Sequence, residues 1–257
     1  GIDPALKAIQ CLIICPTREL AIQTQTVVRD LTAYKHGIRT LALYGGEPIQ
    51  RQISALKGRP QIIVATPGRL IDHINRRTAK LKNVNKIVLD EADRMLDMGF
   101  RDDIYKIFQS VESAEQVTLF SATLSPEIET IAATYQKDPI KIVVEQETKT
   151  VDTVTQYYTV VPQKLKTTAL TTLLEDKDFQ SPIIFVATKS MAHSLAQKLS
   201  KGGYSADSLH GDLRQGQRNR VMKAFRKRKI KALVATDVAA RGLDVDGVDA
   251  VINFDIP

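Results

Sequence analysis

The chain has 257 residues, of which 43% are hydrophobic and 25% charged, the composition of an ordinary globular protein long enough for two domains. No apolar run approaches the length of a membrane span and no charged start leads into an apolar signal segment, so the sequence predicts a cytoplasmic protein without a membrane role. The net charge of +7 favours a polyanionic partner.

Short apolar runs recur along the chain, and a polar segment follows each of them. Continuous Ile, Val and Leu runs of this length predict strands that are buried on both faces, as in parallel sheets. The runs are CLIIC (11–15), QIIVA (61–65), KIVL (86–89), VTLF (117–120), PIIFVA (182–187) and KALVA (231–235).

Helical patterns separate these runs. After Arg18, apolar residues spaced for one helix face are Leu20, Ala21, Val27, Val28 and Leu31. Ser125, Pro126 and Glu127 form a typical helix start, with a capping hydroxyl, a first-turn proline and an early acid. Alternating strands and helices predict a doubly wound α/β fold.

A polar stretch without a core pattern lies at residues 145–156 and divides the chain. We therefore expect an N-terminal domain over residues 1–146, a linker over 147–153 and a C-terminal domain over 154–257. Both halves contain strands that end in Thr- and Asp-bearing turns. In such sheets ligands bind beyond the carboxyl ends of the strands, so the repeated polar ends indicate a shared functional edge.

Three carboxylates, Asp90, Glu91 and Asp93, directly follow the buried run KIVL. Like charges this close repel each other, and carboxylates cost free energy to desolvate, so something must compensate them. A bound metal, an arginine and an exposed helix start are the three alternatives that the residues leave open.

The basic segment 214–231, in which every charged residue is Arg or Lys, is either a nucleic-acid contact or a solvated helix face. Aromatic residues make up only 5% of the chain and Trp is absent, so single strands would find few side chains to stack on. We expect sequence-independent contacts with phosphates and sugars instead.

Seven motifs occur in order across nearly the whole chain. They are PTREL (16–20), GG (45–46), TPGR (66–69), DEAD (90–93), SAT (121–123), HGD with QGQR (210–212 and 215–218), and ATDVAARGLDV (235–245). Together they resemble the DEAD-box RNA helicases, and the phrase RMLDMGF (94–100) is typical of bacterial members. The resemblance implies two tandem RecA-like α/β domains with mainly parallel sheets, which use ATP and Mg²⁺ and bind RNA.

The same resemblance assigns the catalytic and cofactor-binding residues. Asp90 would hold Mg²⁺ through water, and Glu91 would position and activate the water that attacks the γ-phosphate. Ser121 and Thr123 would hydrogen-bond to the acidic motif near Asp93 and couple the nucleotide site to domain closure. The residues that would meet the nucleotide ribose are Gly242 and Asp244.

The resemblance also assigns RNA-binding residues in both domains. In the first domain they are Arg18, Gly46, Thr66 and Arg69; in the second they are Lys189, Arg218, Thr236 and Asp237. For His210 no ligand spacing indicates a metal, so we expect a structural hydrogen bond.

Two pieces of the family pattern are missing from these 257 residues, the G-x-x-x-x-G-K-[ST] phosphate loop and the HRxGR motif that supplies an arginine finger. We interpret this as truncation at both ends, with the first domain lacking its phosphate-loop strand and the fragment inactive alone. Alternatives are a DNA translocase of the same superfamily and an ATP-independent RNA-binding or annealing module. A purely structural scaffold is disfavoured by the six polar strand ends.

Overall fold

The computed structural model describes residues 1–112, 114–144, 154–175, 179–240, 245 and 247–255. The chain divides into two compact units, Gly1–Lys141 and Ile142–Pro257. The predicted linker 147–153 and the predicted ribose contacts Gly242 and Asp244 lie outside the described residues.

The first unit alternates strands and helices. Its elements are β1 (Cys11–Ile14), α1 (Arg18–Leu31), β2 (Thr40–Leu43), α2 (Ile49–Leu56), β3 (Ile62–Ala65), α3 (Pro67–Asn75), β4 (Lys86–Leu89), α4 (Ala92–Asp97), α5 (Arg101–Gln109), β5 (Gln116–Leu119) and α6 (Pro126–Tyr135).

The five strands of this unit form a parallel sheet in the order β2-β3-β1-β4-β5. Their register is level, because Ile14 lies opposite both Ala65 and Leu89, and these lie opposite Leu43 and Leu119 respectively. All five strands therefore end at one edge, and the polar segments that follow them meet there.

The second unit contains a second parallel sheet, in the order β7-β8-β6-β9. Its elements are α7 (Lys166–Leu174), β6 (Ile183–Phe185), α8 (Lys189–Lys201), β7 (Ala206–Leu209), α9 (Gln215–Arg226), β8 (Ala232–Ala235), α10 (Asp237–Ala240) and β9 (Val251–Asn253).

Both faces of the second sheet are covered, which explains why its two central strands, β8 and β6, read as unbroken apolar runs. In β8, Val234 packs into one cluster with Leu195 and Leu199 of α8. The neighbouring residue Leu233 packs into another cluster with Phe225 of α9. Alternate strand residues thus face opposite helices, and the α/β class predicted from the sequence is confirmed.

All six predicted strands are present, but the predicted inner face of α1 is partly wrong. Ala21 is buried, whereas Val27 is 56% and Leu31 75% exposed. The inward face of α1 runs instead through Ala21 and Thr24, whose hydroxyl lies 3.8 Å from the sulfur of the buried Cys15. Within the described part of the chain, no helix is both long and apolar enough to cross a bilayer.

Candidate functional site

The carboxylates that open the acidic motif lie at the end of β4, next to the central strand β1 of the first sheet. The backbone N–H of Asp90 donates to the carbonyl of Ile14 (2.9 Å), which fixes the chain as it leaves the strand. The Asp90 side chain is half-buried, and this burial raises its pKa, against an opposing hydrogen bond from the Glu91 backbone.

Glu91 adopts a left-handed backbone conformation, with φ 52° and ψ 52°, immediately before α4. For a residue with a Cβ this conformation costs on the order of 1 kcal/mol, and such strain gathers at functional sites. The next N–H, that of Ala92, donates to the carbonyl of Phe120 (3.0 Å) and so ties the strained residue to the end of β5.

Asp93 joins the acidic motif to the SAT turn. Its carboxylate accepts hydrogen bonds from the Thr123 backbone N–H (3.0 Å) and from the Thr123 hydroxyl (2.9 Å). Ser121 Oγ accepts from the Asp93 N–H (3.3 Å) and donates to the Thr123 carbonyl (2.7 Å). The predicted contact between the two motifs is confirmed; the coupling role assigned to it stays a prediction.

These hydrogen bonds determine the ionisation of Asp93. Burial raises its pKa, but hydrogen bonds from Thr123, Arg94 and Ser121 stabilise the carboxylate more and bring the net pKa below its ordinary value. Asp93 is therefore a fixed anion that holds a turn, whereas Asp90, with its raised pKa, is less well compensated.

The donor set at this edge fits Mg²⁺ that brings its own waters and phosphates. Among the described residues, no group of three His, Cys, Asp or Glu side chains could form an all-protein cage. Mg²⁺ is usually bound through one or two carboxylates plus substrate phosphates, and the half-buried Asp90 at this edge could supply such a carboxylate.

The four residues predicted to bind RNA in the first unit lie around the glycine turn after β2 and the start of α3. Gly46 has φ +87°, and a Cβ at this position would lie 2.9 Å from Cζ of Arg18. The guanidinium of Arg18 thus packs against the turn, which only glycine fits. Thr66 is buried and precedes α3, where Pro67 occupies the first turn.

Arg69, on α3, reaches back to the same turn. Its Nη2 donates to the carbonyl of Glu47 (3.1 Å) and its Nη1 donates to Oε1 of Gln52 (3.1 Å). The predicted RNA-binding residues, which follow β1, β2 and β3, therefore occupy one half of the sheet edge. The acidic and SAT motifs, which follow β4 and β5, occupy the other half.

Sequence reasoning did not single out Gln52 or His73. Gln52 is 4% exposed and His73 fully buried, and their side chains are hydrogen-bonded to each other. A signal was available for Gln52, since it lies with Ile49, Ile53 and Leu56 at the spacing of one inward helix face. A polar residue on such a face needs a buried partner.

In the second unit, Lys189 is the first residue of α8, and its Nζ forms an ion pair with Asp212 (2.6 Å). Thr188 caps the helix by accepting from the N–H of Met191 (3.2 Å). The methylene and ammonium of Lys189 lie over Gly211, so the HGD motif and the start of α8 contact each other.

Arg218 is 5% exposed, and its guanidinium donates to the carbonyls of His210 (3.4 Å) and Ala239 (3.0 Å). It therefore joins the end of β7 to α10 as a support, and its predicted RNA contact remains a prediction. Thr236 is buried at the end of β8, and Asp237 is exposed at the start of α10.

The structural hydrogen bond expected for His210 is wrong. The residue is 8% exposed, yet neither ring nitrogen has a hydrogen-bond partner within the described part of the chain. The ring instead lies edge-on to His193, with 6.4 Å between centroids. Burial lowers the pKa of His210, so it is held neutral against the opposing influence of Asp212.

The comparisons with known proteins cover most of the chain. Residues 2–131 match the family profile described as DEAD/DEAH box helicase, and residues 165–257 match the one described as Helicase conserved C-terminal domain. The chain is 46% identical over 256 residues to a DEAD-box ATP-dependent RNA helicase CshA of Bacillus subtilis, covering 100% of this chain and 52% of the relative. For the CshA of Geobacillus kaustophilus the identity is 47% over 251 residues, with 98% and 54% covered.

A solved structure shows the same architecture. S. cerevisiae Dbp5 bound to RNA and ADP BeF3 is 32% identical with a TM-score of 0.85, and the match covers 100% of this chain and 65% of Dbp5. The chain spans about half the length of the curated relatives it matches. With its ordered motifs, its two parallel α/β sheets and a profile match over residues 2–131, the chain belongs to the DEAD/DEAH box helicase family.

Proposed function

We propose that the chain forms part of an ATP-dependent RNA helicase, in which RNA-stimulated ATP hydrolysis is coupled to local separation of short duplexes. The observation that carries the proposal is the hydrogen-bonded link from Asp93 to Ser121 and Thr123, next to the strained Glu91. A protein that only binds RNA needs neither a strained carboxylate nor a turn fixed to it.

In the proposed reaction the first unit supplies the catalytic groups. Asp90 would hold Mg²⁺, and Glu91 would orient the attacking water and accept its proton at a carboxylate oxygen. Bound Mg²⁺ supplies charge neutralisation on the phosphates. Asp93, Ser121 and Thr123 fix the turn after β5, so a change at the nucleotide is transmitted to that turn.

RNA binds the remaining strand ends through its backbone. Arg18 and Arg69 present guanidinium groups, which match phosphate oxygens, and Gly46 lets the strand approach the main chain. In the second unit Lys189, Thr236 and Asp237 contact the RNA strand. Arg218 supports the elements that carry them. Support for this assignment comes from relatives that are named RNA helicases and from Dbp5, which was solved with RNA.

A second candidate, an ATP-independent RNA-binding or annealing module, is favoured by one observation. These 257 residues contain no G-x-x-x-x-G-K-[ST] loop, so we also propose that they hydrolyse ATP very slowly by themselves. The two candidates differ at Glu91, because an annealing module does not use this carboxylate.

The test compares ATP turnover with and without RNA, for the 257-residue chain and for the chain extended by the residues that flank it in the encoded protein. We expect RNA-stimulated turnover only in the extended protein, its loss in Glu91→Gln, and unchanged RNA affinity in that variant. Turnover that survives Glu91→Gln contradicts the helicase mechanism. Competition between matched RNA and DNA strands separates an RNA helicase from a DNA translocase.

A further inference from the structure

A buried hydrogen-bond network connects two of the proposed RNA-binding elements in the first unit. It begins at Arg69, whose guanidinium donates to the Glu47 carbonyl and to Oε1 of Gln52, both at 3.1 Å. These two bonds use two of the five N–H donors of an arginine, so the group keeps donors for a phosphate. The direction in which Arg69 points is thus set by Gln52 and by the glycine turn.

Gln52 connects both elements. Its Nε2 donates to the carbonyl of Tyr44 (2.9 Å), which directly precedes the two glycines of the turn. Its Oε1 accepts from Arg69 and lies 3.1 Å from Nε2 of His73. One buried amide therefore holds the start of the glycine turn through its donor side and α3 through its acceptor side.

His73 fixes the orientation of the Gln52 amide through its contact with Oε1. Because the nitrogen of Gln52 is used by the Tyr44 carbonyl, Oε1 must face His73, and His73 Nε2 must carry the proton. In the neutral ring, which burial favours by lowering the pKa of His73, Nδ1 then accepts from the hydroxyl of Thr78 at 2.8 Å, although the same hydroxyl also lies 3.1 Å from the His73 carbonyl. The opposite amide orientation would place Gln52 Nε2 against Arg69 and His73, so the network has one satisfied arrangement.

We propose that Gln52 and His73 are positioning residues for RNA, which hold Arg69 and the Tyr44–Glu47 turn in the geometry that a phosphate backbone meets. This inference rests on the proposed function and deepens it. Neither side chain is exposed enough to touch RNA itself, since Gln52 is 4% and His73 0% exposed. Their contribution is pre-organisation, which improves binding by reducing the ordering that RNA would otherwise impose.

The experiment measures binding of a fluorescently labelled single-stranded RNA to the 257-residue chain by anisotropy. Gln52→Leu should weaken binding about tenfold, the effect expected for losing a hydrogen bond to the charged Arg69. His73→Leu loses a hydrogen bond to the neutral amide of Gln52 and should weaken binding about fivefold. His73→Gln should restore affinity to within about twofold, because a glutamine amide nitrogen can replace imidazole Nε2 as the donor. Thermal unfolding of each variant shows whether it is folded under the conditions of binding.

Gln61→Leu is the matched control. Gln61 is a fully buried glutamine of the same unit, but it accepts from the backbone of Arg39 at the opposite end of the sheet. Its replacement should destabilise the unit and leave RNA affinity unchanged. A general loss of stability therefore cannot imitate the effect of Gln52→Leu.

A double-mutant cycle with Arg69→Ala gives the decisive comparison. If Gln52 acts through Arg69, Gln52→Leu should weaken binding little further once Arg69 is removed. Wild-type affinity in Gln52→Leu, or full additivity with Arg69→Ala, overturns the positioning role while leaving the proposed function intact. Absence of RNA binding by the unsubstituted chain instead overturns the proposed function, and this inference with it.

Discussion

Replacing Thr123 by Val should destabilise the first unit by about 1 kcal/mol. The substitution keeps the backbone hydrogen bond to Asp93 and removes the hydroxyl donor at 2.9 Å. A hydrogen bond to a charged group contributes about 1.5–3 kcal/mol, and solvent around the exposed Thr123 side chain reduces this to about 1 kcal/mol. For a unit of this size the melting temperature should fall by about 3 °C.

The effect should also depend on pH in one direction. Hydrogen bonds keep the pKa of folded Asp93 below its ordinary value, so this contribution to stability is present above about pH 4. It is lost as the pH falls through the lowered pKa, because the hydrogen bonds stabilise the protonated, neutral carboxyl of Asp93 less than the carboxylate. The destabilisation by Thr123→Val at pH 7 should therefore shrink in acid.

Urea unfolding followed by circular dichroism, at pH 7 and near pH 3, measures both quantities. The matched control is Thr130→Val, whose hydroxyl donates only to the Pro126 carbonyl within α6 (2.8 Å) and should change stability by less than about 0.5 kcal/mol. A double-mutant cycle of Asp93→Asn with Thr123→Val isolates the pair. A coupling energy near zero, or a loss that does not change with pH, would refute the argument that these bonds stabilise the Asp93 anion.

Three further substitutions test other parts of the account. Gly46→Ala should lower the free energy of unfolding in urea by about 1–3 kcal/mol and weaken RNA binding, because φ is +87° and the new Cβ would meet Arg18. The control is Gly216→Ala, where a Cβ would enter open space, and it should leave stability unchanged or raise it. Glu91→Gly should raise the free energy of unfolding by about 1 kcal/mol, because glycine adopts the left-handed backbone conformation without strain. It should also abolish ATP turnover in the extended protein. An unchanged or lower free energy of unfolding would contradict the conclusion that Glu91 is strained. Burial lowers the pKa of His73, so its contribution to the free energy of unfolding should be complete above about pH 6.5 and should fall as the pH drops below that value. The free energy of unfolding of His73→Gln should fall less steeply with pH. Equal pH dependence in the two proteins would contradict this.

The sequence was sufficient to predict the strands and the edge at which they end. Unbroken apolar runs such as residues 61–65 carry that information locally, and parallel pairing then places their polar ends together. The contact between Asp93 and the SAT turn was predicted only through the family resemblance, because its partners lie 30 positions apart.

The parts that sequence reasoning missed depend on contacts between distant elements. Gln52 and His73 are 21 residues apart, and nothing local shows that each satisfies the other. The exposure of Val27 and Leu31 was missed because helical spacing gives an apolar face but not which neighbour, if any, covers it. The two ring nitrogens of His210, which have no hydrogen-bond partner among the described residues, likewise reflect how α8 and β7 pack together, which no local pattern records.

The most direct test of the central claim is photocrosslinking of a 4-thiouridine-containing RNA to the chain, with the attached peptides identified by mass spectrometry. We expect crosslinks at the carboxyl edges of both sheets. They should lie in the peptides that contain Arg18, Gly46 and Arg69 in the first unit and Lys189 and Thr236 in the second. Crosslinks confined to the opposite edge of the first sheet, around Lys57 and Arg77 at the ends of α2 and α3, would contradict it.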